Sequence, residues 1–157
     1  RDSVLIYTPF IALFIPFMSM FRLAKFNIDT RQTDSFIGLN TPANTIFFTT
    51  FPLVLMTEFN SGGYQNQWLL TIFQPGILLV VIGCMSLLLV SELHMFSIKF
   101  KHFRWHENQI RYTFLITCLL LIVFLLVWSI PLIVLLYILL SFLENKFNKK
   151  EAHEIQS

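Results

Sequence analysis

From Tyr112 to Leu143 the chain runs 32 residues without a single charged side chain. As one α-helix this stretch would be about 48 Å long, whereas the hydrocarbon core of a bilayer is only about 30 Å thick. A single crossing cannot absorb it, so the stretch must fold back on itself. Pro131, just after Trp128 and Ser129, is the natural break, because proline has no N–H to give to the carbonyl four residues earlier. The sequence therefore predicts two spans, 112–128 and 132–143, joined by a tight turn, the second with room to extend to Lys146.

Three further apolar segments precede this pair. Val4–Phe21 contains Pro9 and Pro16 and would span about 27 Å as a helix. Thr41–Thr57 contains Pro52 and would span about 25 Å. Trp68–Val90 carries Pro75–Gly76 near its start. Charged residues make up 13% of the chain, against about 25% in a soluble domain; 55% of residues are hydrophobic, and mean hydropathy is +0.68. The expected fold is all-α, a polytopic membrane helix bundle with about five transmembrane helices. It would occupy residues 1–143 and be followed by a polar, mobile cytoplasmic tail over 144–157. A formal charge of +2 is too small to suggest nucleic acid as a partner. Cys84 and Cys118 both fall in apolar segments without CxxC spacing, so they read as small membrane-buried residues, not as a disulfide or metal pair. The chain opens on Arg1 with neither Met nor a signal peptide, and is read as a piece of a longer protein.

The basic residues are distributed unevenly. Arg22, Lys25 and Arg31 follow the first span, Lys99, Lys101, Arg104 and Arg111 the third, and Lys146, Lys149 and Lys150 the fifth. The segment 58–67 and the turn near Pro131 contain none. All of the 11 Lys and Arg except Arg1 thus fall in alternate loops, which the positive-inside rule places in the cytoplasm. One unbroken helix over 112–143 would destroy this alternation. Trp68, Trp105, Tyr112 and Trp128 sit near the expected interfaces, where amphipathic rings collect.

Arg22 and Lys25 stand where the first span should leave the membrane, and Pro42 and Asn44 where the second enters. If the first helix continues through Phe26, Arg22 and Lys25 are i,i+3 neighbours on one face, and two adjacent cations in a partly dehydrated site suit phosphate. Asn27 lies off that face unless the helix ends there. The same charges also fit a purely topogenic role, snorkelling to headgroups.

The wording FRLAKFN (21–27), FIGLNTPAN (36–44) and LVSELHMFSIKFK (89–101) resembles the bacterial phosphatidylserine synthase branch of the CDP-alcohol phosphatidyltransferase family, whose pattern reads approximately FRLARFN, FIGLPTPAN and a later FSLKFK-like run. The likeness covers the chain in order and spacing apart from its tail. Lys25 stands where Arg is common, which keeps the charge and loses the planar fork. Asn40 stands where Pro is common, which is expected to loosen the turn before the second span. One departure is large: the family's D-G-x2-A-R and G-x3-D-x3-D aspartates are missing, since Asp2, Asp29 and Asp34 do not have that spacing. The chain then corresponds to the part downstream of that motif and contains no catalytic residue of its own.

The resemblance implies transfer of a phosphatidyl group from CDP-diacylglycerol to L-serine, with release of CMP. It implies a divalent metal (Mg or Mn) whose ligands lie outside this chain, a homodimer, and a bacterial inner-membrane location with the active side cytoplasmic. It points to Arg22, Lys25, Asn27 and Asn44 as substrate-binding residues, the cations holding the lipid-linked phosphate or the serine carboxylate and the amides orienting polar groups. Lys99 and Lys101 would offer contacts to anionic lipid headgroups, a topogenic loop being the competing reading. Two alternatives stay open: a non-enzymatic polytopic protein such as a transporter half or assembly subunit, and a family member using glycerol phosphate or inositol phosphate. Weaker signals are His102 and His106 at i,i+4 without a third metal ligand, and Glu92 at the end of the third span, near enough to the edge to reach water. Phe47, Phe48 and Phe51 read as lipid-facing or helix-packing surface, and Gly62–Gly63 as a turn.

Overall fold

The computed structural model describes residues 8–29, 36–62, 67–96 and 108–154. The described residues are all-α apart from one two-residue bridge. A 3-10 segment, Thr8–Leu13, leads into α1 (Phe14–Ile28). The change of helix type has a local cause: Pro16 cannot donate to the carbonyl of Ala12, so the α-helical ladder takes over only after that point. The helix then continues past Phe21, where the apolar segment ends, and carries Arg22, Lys25 and Asn27 on its last two turns.

α2 spans Thr41–Asn60. Its N-cap is Asn40, whose Oδ1 accepts a 2.8 Å hydrogen bond from the backbone N–H of Ala43, with Pro42 in the first turn. This reverses the expectation that Asn40 loosens the turn. The amide oxygen satisfies a helix-terminal N–H that a proline side chain at that position could not. The third apolar segment is divided: α3 covers Gln67–Ile72 and α4 covers Pro75–Val90. Pro75 takes the first helical position, where its missing N–H is harmless, and it disfavours helical backbone at Gln74.

The long apolar stretch folds back as its length requires. α5 (Gln109–Leu125) ends at a 3-10 turn, Leu126–Trp128, in which Leu126 takes φ 46°, and α6 (Ser129–Glu154) follows. The Phe114 and Tyr137 ring centroids are 6.0 Å apart, whereas residues so far apart in sequence would be about 35 Å apart along one straight helix. The two helices are therefore an antiparallel hairpin. The reversal comes a few residues before Pro131, which sits in the first turn of α6. No break falls at 143/144: α6 runs on through Glu154, so most of the expected tail is helical.

By length and composition, two helical runs can cross a membrane, Pro9–Ile28 and Gln109–Lys146, and the second is the doubled hairpin. α4 is apolar throughout but shorter. The structure is thus an all-α bundle with two candidate spanning runs, a coarser result than the five separate crossings expected. α1 packs chiefly on α4, and α6 packs on α5 and α2. The core gathers Leu39, Phe47, Met85, Phe96, Phe114 and Tyr137 among others, with Phe48 and Phe51 packed against it. The outer surface is also apolar: Met20 is 70% exposed, Phe59 68% and Phe124 78%.

Both ends of the bundle are tied. At one, β1 (Phe36–Ile37) pairs antiparallel with β2 (His94–Met95), joining the chain between α1 and α2 to the chain between α4 and α5. At the other, Trp128 Nε1 donates a 2.9 Å hydrogen bond to Glu58 Oε1, joining the hairpin turn to the end of α2. Every Lys and Arg among the described residues lies toward the bridged end: Arg22, Lys25, Arg111, Lys146, Lys149 and Lys150. We call it the basic end.

Candidate functional site

The basic end is built around Gly38. Its backbone has φ +77°, a conformation natural to glycine. Its N–H donates to the carbonyl of Leu93 at 2.7 Å, and the next N–H, of Leu39, donates to that of Leu88 at 2.9 Å. A β-carbon on residue 38 would lie 2.7 Å from the Leu89 carbonyl oxygen and 2.9 Å from that of Ser91. Only glycine lets the segment before α2 lie against the end of α4 this closely.

A second set of bonds fixes β2 from the side of α6. Tyr137 Oη donates to the Phe96 carbonyl at 3.1 Å. Ser141 Oγ accepts the Phe96 N–H at 3.3 Å and donates to the Tyr137 carbonyl at 2.9 Å. Asn145 Nδ2 donates to the His94 carbonyl at 2.7 Å. These three residues follow one another at i, i+4 and i+8, so they form a polar stripe on one helix face. Phe96 also packs edge-on against Phe114 and Tyr137, with centroids 5.4 and 4.9 Å away.

Against this frame stand the two cations of α1, in very different states. Lys25 Nζ donates to the carbonyl of Val90 at 3.3 Å and forms a salt bridge with Glu92. It therefore caps the C-terminus of α4, where a cation complements the unsatisfied carbonyls. Arg22 is only 6% exposed. It makes a long 3.4 Å bond to the carbonyl of Ile37, its Nε has no hydrogen-bond partner, and no carboxylate among the described residues pairs with it. A buried guanidinium without a counter-ion is costly, and this arrangement invites an anion.

Two more buried polar groups lie at the same end. Asn44, 1% exposed, has neither side-chain oxygen nor nitrogen hydrogen-bonded, and Ser86 Oγ, on α4, is likewise unpartnered. Counted from the helix ends at about 1.5 Å per residue, Arg22, Asn44 and Ser86 all lie within roughly 10 Å of the basic end. Such orphaned atoms are rare in folded proteins and mark places where a further polar partner belongs. A cleft of about 280 Å³ opens beside Arg22, lined by Arg22, Leu23, Phe26, Asn40, Thr41 and Pro42. The α1 side brings the Arg22 cation with Leu23 and Phe26, and the α2 side brings Asn40, Thr41 and Pro42, a mixture of polar and apolar groups suited to an amphiphile with an anionic head. A larger cleft of about 540 Å³ near the opposite end is lined only by apolar side chains such as Leu55, Phe59 and Phe73 and offers no chemistry.

The sequence-predicted residues are thus only partly assembled. Arg22 and Lys25 share one face of α1, and Asn44 is buried on α2. Asn27 is exposed, roughly 140° around the helix from Arg22, because α1 continues through Ile28. Lys99 and Lys101 lie outside the described residues, as do His102 and His106. Glu92 reaches water, with its side chain 62% exposed. Among the described residues no three His, Cys, Asp or Glu side chains gather as metal ligands. Sequence reasoning missed Gly38, the Tyr137–Ser141–Asn145 stripe and the Glu58–Trp128 tie. The stripe had a legible signal, polar residues at helical spacing in an apolar run.

Comparison with protein-family models, with curated proteins and with solved structures found no match to this chain.

Proposed function

We propose that this chain is the substrate-binding, C-terminal part of a phosphatidyltransferase similar to the phosphatidylserine synthase branch of the CDP-alcohol phosphatidyltransferases. In this reading the bundle sits in a bacterial inner membrane with its basic end cytoplasmic, and the enzyme is a homodimer. The apolar exterior and the segregation of Lys and Arg to one end support that setting. The single observation that carries the function is Arg22: a buried guanidinium without a carboxylate, beside a half-apolar cleft, offers a lipid-linked phosphate the counter-ion it needs. Asn44 and Ser86 supply further hydrogen-bonding capacity at that depth. The chain binds and orients the phosphate of CDP-diacylglycerol, and the groups that activate the serine hydroxyl come from outside it.

The test is incorporation of radiolabelled L-serine into lipid, with CDP-diacylglycerol supplied, by membranes carrying the full-length protein. Wild type transfers serine, and Arg22→Ala lowers transfer at least about ten-fold at unchanged protein level, in line with a charge-assisted phosphate contact. Absence of transfer with serine defeats the proposed acceptor, and glycerol phosphate and inositol phosphate in its place test the rest of the class. Near-normal activity of Arg22→Ala defeats the role given to Arg22.

A further inference from the structure

A phosphate group presents acceptor oxygens on more than one side, and Arg22 meets it only from α1. The opposite side of the cleft belongs to the start of α2. We propose that Asn40 is the second phosphate-binding residue of this site, its side-chain oxygen capping α2 while its Nδ2 donates to the lipid-linked phosphate that Arg22 holds. This rests on the reading of Arg22 as an anion site.

Asn40 is half-buried and lines the same cleft as Arg22. The cap fixes which way its amide faces. Oδ1 accepts the Ala43 N–H at 2.8 Å, and an NH2 group cannot accept in its place. Nδ2 is therefore the free end, and it donates to no group among the described residues. The backbone that carries it is held on both sides. Just before it the Leu39 N–H donates to the Leu88 carbonyl at 2.9 Å, and just after it α2 begins, with the Asn44 N–H on the Asn40 carbonyl at 3.2 Å. The donor is in place before a ligand arrives, so binding does not have to order it.

The start of α2 adds to the same field. Pro42 has no N–H, that of Ala43 is taken by the cap and that of Asn44 by the helix ladder. The Thr41 N–H has no acceptor among the described residues, and Thr41 also lines the cleft. It stands at the positive end of a 20-residue helix, which favours an anion. Independently of the helix, the Arg22 guanidinium beside the same cleft, 6% exposed and with Nε unpartnered, marks a place where an anion belongs. Leu23, Phe26 and Pro42 line the rest, so the anion that fits is carried on an apolar body, a lipid and not free phosphate.

Serine and aspartate cap a helix about as well as asparagine, and neither carries an amide NH2, so they separate the two roles. The full-length protein in neutral detergent is tested by direct binding of phosphatidic acid and of diacylglycerol with the same acyl chains. Asn40→Ser binds phosphatidic acid at least about ten-fold more weakly than wild type, the loss of one hydrogen bond to a charged group. Asn40→Asp, which can only accept and adds a like charge, binds it more weakly still. Both variants bind diacylglycerol as wild type does and unfold in SDS at the wild-type point, whereas a residue serving only as a cap would leave the binding of both lipids unchanged. Wild-type affinity for phosphatidic acid in either variant overturns the proposal, as does an equal loss of both lipids. Arg22→Ala binding phosphatidic acid as well as wild type does defeats the Arg22 reading instead, so the two failures are distinguishable.

Discussion

Replacing Gly38 by alanine places a methyl group 2.7 Å from one backbone carbonyl oxygen and 2.9 Å from another. Neither can rotate aside, because both belong to the end of α4 that the β-bridge and the Gly38 and Leu39 N–H groups hold. Two penalties add. An L-residue at φ +77° is destabilised by about 1–2 kcal/mol, and forcing a methyl group into a filled site adds about 1–3 kcal/mol. The expected loss is about 2–5 kcal/mol, a large share of a typical domain's stability of about 5–15 kcal/mol. Gly62 provides the control. It has the same φ of +77°, but a β-carbon there meets nothing within 4 Å. Gly62→Ala should therefore show the backbone term alone, and the difference between the two variants isolates the steric term. The assay is equilibrium unfolding of the purified protein in mixed micelles, titrated with SDS and followed by tryptophan fluorescence. Equal losses from the two substitutions would refute the close approach of residue 38 to α4, as would a loss below about 0.5 kcal/mol for Gly38→Ala, the range of an inconsequential substitution.

Other bonds of the frame can be tested in the same assay. Ser141→Ala leaves the Phe96 N–H without its acceptor and should destabilise by about 1–3 kcal/mol; a neutral result would show that the stripe does not hold β2. Asn40→Ala removes the cap of α2 and should lose about 0.5–2 kcal/mol, whereas Asn40→Asp should retain most of it. Trp128→Phe keeps an aromatic side chain, smaller than indole, and removes the donor to Glu58. It should loosen the end opposite the basic one, read as faster amide exchange in the last turn of α2 with the basic end unchanged. Asn27→Ala, on the exposed face of α1, should leave serine transfer within about two-fold of wild type, well short of the ten-fold that about 1.4 kcal/mol would produce; a larger fall would restore Asn27 to the binding set.

Much of the architecture is local and could be read from the residues. A charge-free stretch too long for one crossing must turn, and Phe114 against Tyr137 shows that it does. The helix starts at Thr41 and Pro75 follow from prolines tolerated in first turns and from the backbone they impose on the preceding residue. The i,i+3 placement of Arg22 and Lys25 follows once α1 is helical past Phe26. Boundaries were less legible. The turn between α5 and α6 precedes Pro131, because a proline is acceptable early in the new helix as well as after the old one. The polar residues 144–154 stay helical because nothing in them breaks a helix already propagating.

The sequence by itself determined the all-α class, the hairpin of the last two helices and the gathering of basic residues at alternate helix ends. Each depends on hydropathy, charge and proline geometry within a single segment. Only the tertiary structure decided that Arg22 is buried without a carboxylate while Lys25 is paired with Glu92, that Gly38 lies against the α4 carbonyls, and that α6 holds β2 through Tyr137, Ser141 and Asn145. The physical reason is sequence distance. Lys25 lies on α1 and Glu92 just beyond the end of α4, and Phe96 and Ser141 likewise belong to different parts of the chain, so no local periodicity specifies which side chain will find a partner and which will be left to bind one from outside.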